Sequence, residues 1–355
     1  MSSVTDIRPS TPAVPLTSVL PGSAVRAAYG PDGAETAWAD LGTRIAGVTV
    51  SSDDCEPQWL FVAIPGLSQH GIRFARAAKE AGAVAVLTDA AGASRAVSEG
   101  LGLPVVVVDD PRSHVAALAA AVYGHPARDL VTLAVTGTNG KTTTSYLMRA
   151  ALAAVHPRAA LCGTVETRVG PVSFEAERTT AESPVVQRFL ALARECGEGA
   201  AVIETSAHAL SLHRVDGVVF DVAAFTNLQH DHLDYYGDME GYFNAKALLF
   251  TPEHAKRAVV CVDDEWGRRL AASAPIPVTT VSALTDAPAH WRVRAAHPDP
   301  SIGRTVFTLV DPDGTGHEVR MPILGEVNVQ NTAVALVSAV AAGVPLDGAL
   351  RALEA

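Results

Sequence analysis

Aromatic side chains are scarce in this chain: they make up 5% of its 355 residues, although 48% are hydrophobic. Ala and Val carry much of the apolar content, which favours close-packed helices and parallel strands over ring-filled cores. Cysteine is sparse too. Cys55, Cys162, Cys196 and Cys261 stand far apart with no CxxC pair, which argues against a structural zinc site and for a reduced, cytoplasmic setting. There is no long basic run, and 27 basic residues face 38 acidic ones for a net charge of −11, so nucleic acid is not the expected partner. No apolar run is long enough to cross a bilayer. The opening "MSSVTDIRPSTPAVPLTSVLPGS" is rich in Pro, Ser and Thr and lacks a continuous apolar segment. It is expected to be a disordered lead-in over residues 1–24, not a signal peptide.

What is present is alternation. The length suggests two domains. "QWLFVAIPG" reads as strand and turn, and "HGIRFARAAKEAGAVAVLTD" as helix, Gly stop and strand. "LPVVVVDDPRSHVAALAAAVYG" repeats strand then helix. These predict a small α/β domain over residues 25–125, linked by the turn-rich "YGHPARDL" to a mostly parallel central α/β domain over 126–355. The chain stops at "VPLDGALRALEA", inside a helical pattern, which leads to the expectation of a truncated last domain or a missing following one.

Three apolar runs of the central part deliver polar residues at their carboxyl ends. "LVTLAVT" runs into a Gly-rich loop, "AAVIET" ends at Glu204 and Thr205, and "GVVFDVAAFTN" ends at Thr226 and Asn227 before "LQHDHLDYYGD". Ligands of open α/β sheets bind outside those ends, so the three motifs should converge. The loop itself, "AVTGTNGKTTTS", departs from GxxxxGK[ST], because Val135 stands where the first Gly would fall. Its physics is retained. Small residues let backbone N–H groups face an anion, the helix starting near Lys141 adds its positive end, Lys141 can reach β and γ phosphates, and the Thr142 hydroxyl can bind Mg²⁺. Glu204 beside such a loop suits a hard cation. Lys246 in "MEGYFNAKALLF" has Tyr242, Phe243, Leu249 and Phe250 at helical spacings, so it falls on an apolar face. Pattern alone favours a snorkelling stem there. His230, Asp231, His232 and Asp234 crowd one loop and suit metal or substrate contacts, without the spacing of a closed zinc site.

Assembled, these motifs resemble the Mur ligases, and among them the branch that adds the third amino acid of the peptidoglycan stem. The matching stretches are "TGTNGKTTT", "TTAES", "IETSAHALSLHRV", "FTNLQHDHLDYYGDMEGYF", "AKALLF", "VDDEWGRR" and "LGEVNVQNTAVAL". The resemblance implies a monomeric, cytoplasmic, ATP-dependent amide-forming ligase with two Mg²⁺ ions. Its substrates would be UDP-N-acetylmuramoyl-L-Ala-D-Glu and a diamino acid, meso-diaminopimelate or L-lysine, joined through an acyl phosphate. It implies ATP contacts from Gly137, Thr138, Asn139, Gly140, Lys141, Thr142 and Thr143, with Asn328 and Asn331 near the adenine. Thr142 and Glu204 would hold one Mg²⁺, and His232 with a carbamylated Lys246 the other. Ser52, Thr179, Thr180, Ser206 and Arg214 would contact the UDP-muramoyl peptide.

Departures accompany the match. The family's Asp-Ser-Arg reads Ser51-Ser52-Asp53, Ala181 follows Thr180 where Pro is common, and Leu212 replaces a frequent Gln. The resemblance further leads to the expectation that the C-terminal Rossmann-like domain, which selects the amino acid in the family, is missing, so this stretch alone is expected to turn over poorly. Two other readings compete: a non-catalytic binder of nucleotide or UDP-muramoyl peptide, and a ligase like folylpolyglutamate synthetase. Retention of Lys141, Glu204, His232 and Lys246 argues against the first, and "TTAES" with "TSAHAL" against the second.

Overall fold

The computed structural model describes residues 7–354 apart from 67, 177, 300, 302 and 322. The chain divides into two compact units. The first comprises Ile7–Pro126 with Glu182–Leu192, and the second Ala127–Ala181 with Ala193–Ala355.

The first unit holds a five-stranded sheet. Its strands are β1 (Ala27–Tyr29), β2 (Gly47–Thr49), β3 (Trp59–Val62), β4 (Ala85–Thr88) and β5 (Val105–Val107). They lie in the order β1-β5-β4-β3-β2, all parallel except the edge strand β1. Both faces are covered, which is why β3 and β4 read as unbroken apolar runs. Leu60 and Val62 face a core with Leu118 and Val115 of α2 (Pro111–Val122), whereas Phe61 and Trp59 face one with Ala93 and Ala96 of α1 (Ala90–Ser98).

The expected lead-in is largely structured. Residues 1–6 lie outside the described residues, but Val14–Pro15 pairs antiparallel with Arg44–Ile45, and Leu16 and Leu20 are buried in the sheet's core. Ser/Thr/Pro composition masked the two apolar anchors. The helix Ser183–Glu195 also differs from expectation: residues 182–192 belong to the first unit, where Ala191 joins the core with Leu118.

The second unit is built on an eleven-stranded sheet. In chain order its main elements are β6 (Val131–Thr136), α3 (Lys141–Leu152), β7 (Ala159–Cys162), β8 (Glu166–Val169), β9 (Val172–Glu175), β10 (Ala200–Glu204) and β11 (Val222–Phe225). There follow α4 (Met239–Ala247), β12 (Ala258–Cys261), β13 (Val278–Ser282), β14 (Trp291–Asp299), β15 (Arg304–Val310), β16 (Gly316–Met321) and α5 (Glu326–Ala341). The strand order is β9-β8-β7-β10-β6-β11-β12-β13-β14-β15-β16. The stretch from β7 to β14 is parallel, and antiparallel strands close each edge. Leu147, Met148 and Ala151 of α3 pack with Val329, Ala333 and Val337 of α5 over Leu133, Val135 and Val202. Every residue of α5 from Val329 to Ala339 is buried, the polar Gln330, Asn331, Thr332 and Ser338 included. Strands β10, β6 and β11 are neighbours, so the three motif-bearing strand ends lie side by side. Among the described residues, no helix is long and apolar enough to cross a membrane.

Candidate functional site

The site is built at the carboxyl ends of β6, β7, β10 and β11. Between β6 and α3 the chain turns through Gly137 (φ +154°) and Gly140 (φ +87°), conformations that L side chains rarely adopt. Space excludes side chains as well. A Cβ on Gly137 would overlap the Thr226 hydroxyl, and one on Gly140 the Asn331 amide oxygen. The β11 end fixes the loop. Asn227 Oδ1 accepts from the Asn139 N–H at 3.0 Å, the Thr226 hydroxyl donates to the Asn139 carbonyl at 2.7 Å, and the Thr138 N–H donates to the Asn227 carbonyl at 2.9 Å. The loop is therefore held before any anion arrives, with the first N–H groups of α3 left to face a phosphate.

Lys141 folds back over this loop, and its Nζ donates to the Gly137 and Thr138 carbonyls at 2.9 Å each. Burial holds its pKa below the ordinary lysine range, partly offset by Glu204 and Asp231. Lys246 Nζ donates to the same Gly137 carbonyl at 2.9 Å and lies 4.6 Å from the centroid of the Tyr242 ring. Lys246 is 1% exposed, so it does not snorkel. Burial, then the neighbouring Lys141, pushes its pKa well below the ordinary value. A buried lysine amine in this state is readily neutral, hence nucleophilic.

Glu204, fully buried at the end of β10, gathers hydroxyls. Its Oε2 accepts from Thr142 Oγ1 and Thr164 Oγ1 at 3.0 Å each, and its Oε1 from Ser145 Oγ at 3.3 Å and the Thr164 N–H at 3.2 Å. A carboxylate and a hydroxyl at this spacing beside a phosphate loop are a fitting oxygen donor pair for a hard cation. Among the described residues no group of three or more His, Cys, Asp or Glu could hold a metal unaided. His232 sits in a left-handed conformation (φ +53°), with its ring 5.9 Å from that of Tyr242 and 5.0 Å from that of His208. His232 and Lys246 thus both lie against the Tyr242 ring. His230, in the same loop, is exposed.

Thr179, Thr180, Ser206 and Arg214 also come together. Thr180 is buried, and its hydroxyl is engaged internally, donating to the Glu204 carbonyl at 2.8 Å and accepting the Ser206 N–H at 3.1 Å. Both partners belong to the end of β10, so the hydroxyl ties the loop that carries Thr180 to that one strand end. Arg214 Nη1 donates to the Thr180 carbonyl at 3.2 Å, and Ser206 Oγ accepts the Ala209 N–H at 3.1 Å as a helix cap. Thr179 is half-buried, and its hydroxyl lies 3.2 Å from that of Thr164, joining it to the Glu204 network. Asn331 lies against Gly140 and donates to Asn328 Oδ1 at 3.3 Å, so it reaches the phosphate loop itself. Ser52 belongs to the first unit, in the turn Ser52–Asp54 after β2. Sequence reasoning missed Thr164, although "ALCGT" carries the same strand-end signature.

A model of the Mur ligase middle domain matches residues 135–339, which belong to the second unit apart from 182–192. A model described as the Mur ligase family, catalytic domain, matches residues 44–123 of the first. The chain is 45% identical over 312 residues to UDP-N-acetylmuramoyl-L-alanyl-D-glutamate–2,6-diaminopimelate ligase of Streptomyces avermitilis, covering 88% of this chain and 61% of that one. It is 46% identical over 313 residues to UDP-N-acetylmuramyl-tripeptide synthetase of Leifsonia xyli, covering 88% and 60%. A solved UDP-N-acetylmuramoyl-L-alanyl-D-glutamate–2,6-diaminopimelate ligase superposes with a TM-score of 0.77 at 26% identity, over 96% of this chain and 66% of that one. The chain thus spans about three fifths of the length of the curated relatives it matches. Family models covering the phosphate loop, Glu204 and Lys246 in one unit and β2 to α2 in the other carry the assignment: the chain belongs to the Mur ligase family.

Proposed function

We propose that this chain carries the nucleotide and UDP-muramoyl-peptide sites of an ATP-dependent ligase. The ligase adds a diamino acid, diaminopimelate by the names of its Streptomyces relatives, to the D-Glu of UDP-N-acetylmuramoyl-L-Ala-D-Glu. The observation that carries the reading is the convergence of the loop of Gly137–Gly140, the buried Glu204 and the buried Lys246 at adjoining strand ends. ATP phosphates occupy the loop. Lys141 exchanges the Gly137 and Thr138 carbonyls for phosphate oxygens, a small rearrangement for a flexible stem already at the site.

The D-Glu carboxylate attacks the γ-phosphorus, the bond to the bridging oxygen breaks, and ADP leaves with that electron pair. The diamino acid's amine then attacks the acyl carbon, phosphate departs, and the nitrogen loses a proton to give the amide. Thr142 with Glu204, and His232 with a carbamylated Lys246, would hold two Mg²⁺ ions, whose charge screens the phosphates and the reacting carboxylate. Lys246 suits carbamylation because its amine is buried and its pKa depressed. Arg214, Thr179 and Ser206 orient the muramoyl peptide, and Asn328 and Asn331 flank the nucleotide.

The test is product analysis with ATP, Mg²⁺, UDP-N-acetylmuramoyl-L-Ala-D-Glu and either diaminopimelate or lysine. The expected result is a UDP-muramoyl-tripeptide containing diaminopimelate, with one ADP for each amide. ADP release that ignores the UDP substrate would overturn the reading.

A further inference from the structure

The first unit buries one complete ion pair, and it lies directly behind the turn that carries Ser52. Arg188 is fully buried and Asp54 is 5% exposed. Arg188 Nη1 donates to Asp54 Oδ1 at 3.1 Å and Nη2 to Asp54 Oδ2 at 2.8 Å, a two-pronged bond between residues 134 positions apart. The guanidinium also stacks 4.8 Å from the centroid of the buried Trp59 ring. Arg8 adds a peripheral contact to Asp54 Oδ1 at 3.4 Å.

The carboxylate then passes this order to the turn. Thr49 Oγ1 donates to Asp54 Oδ2 at 3.1 Å and accepts the Ser51 N–H at 3.1 Å, while the Asp54 N–H donates to the Ser51 carbonyl at 3.3 Å. The back of the turn is thus fixed atom by atom, whereas Ser51 and Asp53 are exposed and Ser52 is half-buried. A simple fold staple would be served by apolar packing, since replacing a buried ion pair with hydrophobic residues of similar volume is often neutral or stabilising. What apolar packing does not supply is a directional hold on the Thr49, Ser51 and Asp54 polar groups.

We propose that Arg188 is a positioning residue for the sugar nucleotide. Acting through Asp54 and Thr49, it sets the Ser52–Asp54 turn in the conformation that receives the UDP moiety. This rests on the reading of Ser52 as a UDP contact.

The experiment is titration calorimetry of UDP-N-acetylmuramoyl-L-Ala-D-Glu, with a non-hydrolysable ATP analogue titrated in parallel and thermal unfolding recorded for each protein. The double variant Asp54→Leu/Arg188→Met removes the pair without stranding a buried charge, and Thr49→Val removes one relay hydroxyl at nearly constant volume. Both should unfold within a few degrees of the parent, bind the ATP analogue unchanged, and bind the UDP substrate roughly ten-fold or more weakly. Arg188→Lys, which keeps the charge but loses the fork, should fall between parent and double variant. If both keep full UDP-substrate affinity while Ser52→Ala weakens it, the positioning role is wrong and the Ser52 reading stands. If Ser52→Ala is without effect, the Ser52 reading itself has failed. Should the double variant not fold, Thr49→Val decides alone.

Discussion

Lys246 is the residue on which the proposed chemistry turns. Its surroundings hold an amine out of water at the edge of a phosphate loop, with burial and Lys141 both opposing its charge. The sign of the pH effect follows. An unfolded lysine titrates near about 10.4. With a lower pKa in the fold, the unfolded state binds more protons, so the group's contribution to stability falls as pH drops below that value. Lys246→Met should therefore raise the unfolding temperature, and the gain should grow between about pH 10 and about pH 7. An equal gain at both ends would show that the lysine is not held out of its charged form. The proposed mechanism also requires this residue for activity. Lys246→Ala should lower amide formation by about 10²–10³-fold, the scale of one lost electrostatic stabiliser, with partial recovery on adding a short-chain carboxylate. Full activity without rescue would remove Lys246 from the mechanism.

The loop between β6 and α3 shows how far an element can be read from its letters. Its glycines, its lysine and the apolar strand before it were legible, because each is a local requirement of a tight turn opening onto a helix. Gly140→Ala tests that requirement. The αL conformation costs a non-glycine residue about 1–2 kcal/mol, and the new methyl group also meets Asn331. The variant should lose roughly 2 kcal/mol or more of stability and most of its ATP affinity, read by denaturant unfolding and nucleotide titration. Parent-like values for both would mean the loop has another form. Less legible were the contacts that close the site. Thr164 reaches Glu204 from a different strand, and Asn331 arrives from α5. Neither has a periodic signature, because strand order, not spacing, brings them in. Lys246 was legible as to its face but not its depth. Spacing places a lysine on an apolar stripe, but only packing decides whether its head reaches water. Residues 14–20 were misjudged for the converse reason, since two buried leucines outweigh a polar composition.

At the scale of the molecule, the proposed ATP loop lies in one unit and the proposed UDP contact Ser52 in the other, and the sequence does not announce the boundary between them. Residues 182–192 return to the first unit after the second has begun, drawn by Arg188 to Asp54, 134 positions earlier, and by Ala191 into the core with Leu118. The two ligands should therefore leave separate footprints in hydrogen exchange. A non-hydrolysable ATP analogue should protect amides 137–143, and UDP-N-acetylmuramoyl-L-Ala-D-Glu those of 51–54. Protection of 51–54 by the adenine nucleotide instead would reverse the assignment of ligands to units.

The central claim is that this site transfers the γ-phosphoryl group of ATP to a carboxylate. Positional isotope exchange tests it most directly. ATP carrying heavy oxygen in its β,γ-bridge is incubated with the protein, Mg²⁺ and UDP-N-acetylmuramoyl-L-Ala-D-Glu, with the diamino acid left out. Reversible acyl-phosphate formation frees the ADP β-phosphate to rotate before ATP re-forms. The account predicts movement of label from the bridge to the non-bridging β positions, dependent on the UDP substrate and lost in Lys141→Ala. No movement of label with both substrates bound, or equal movement without the UDP substrate, would contradict it.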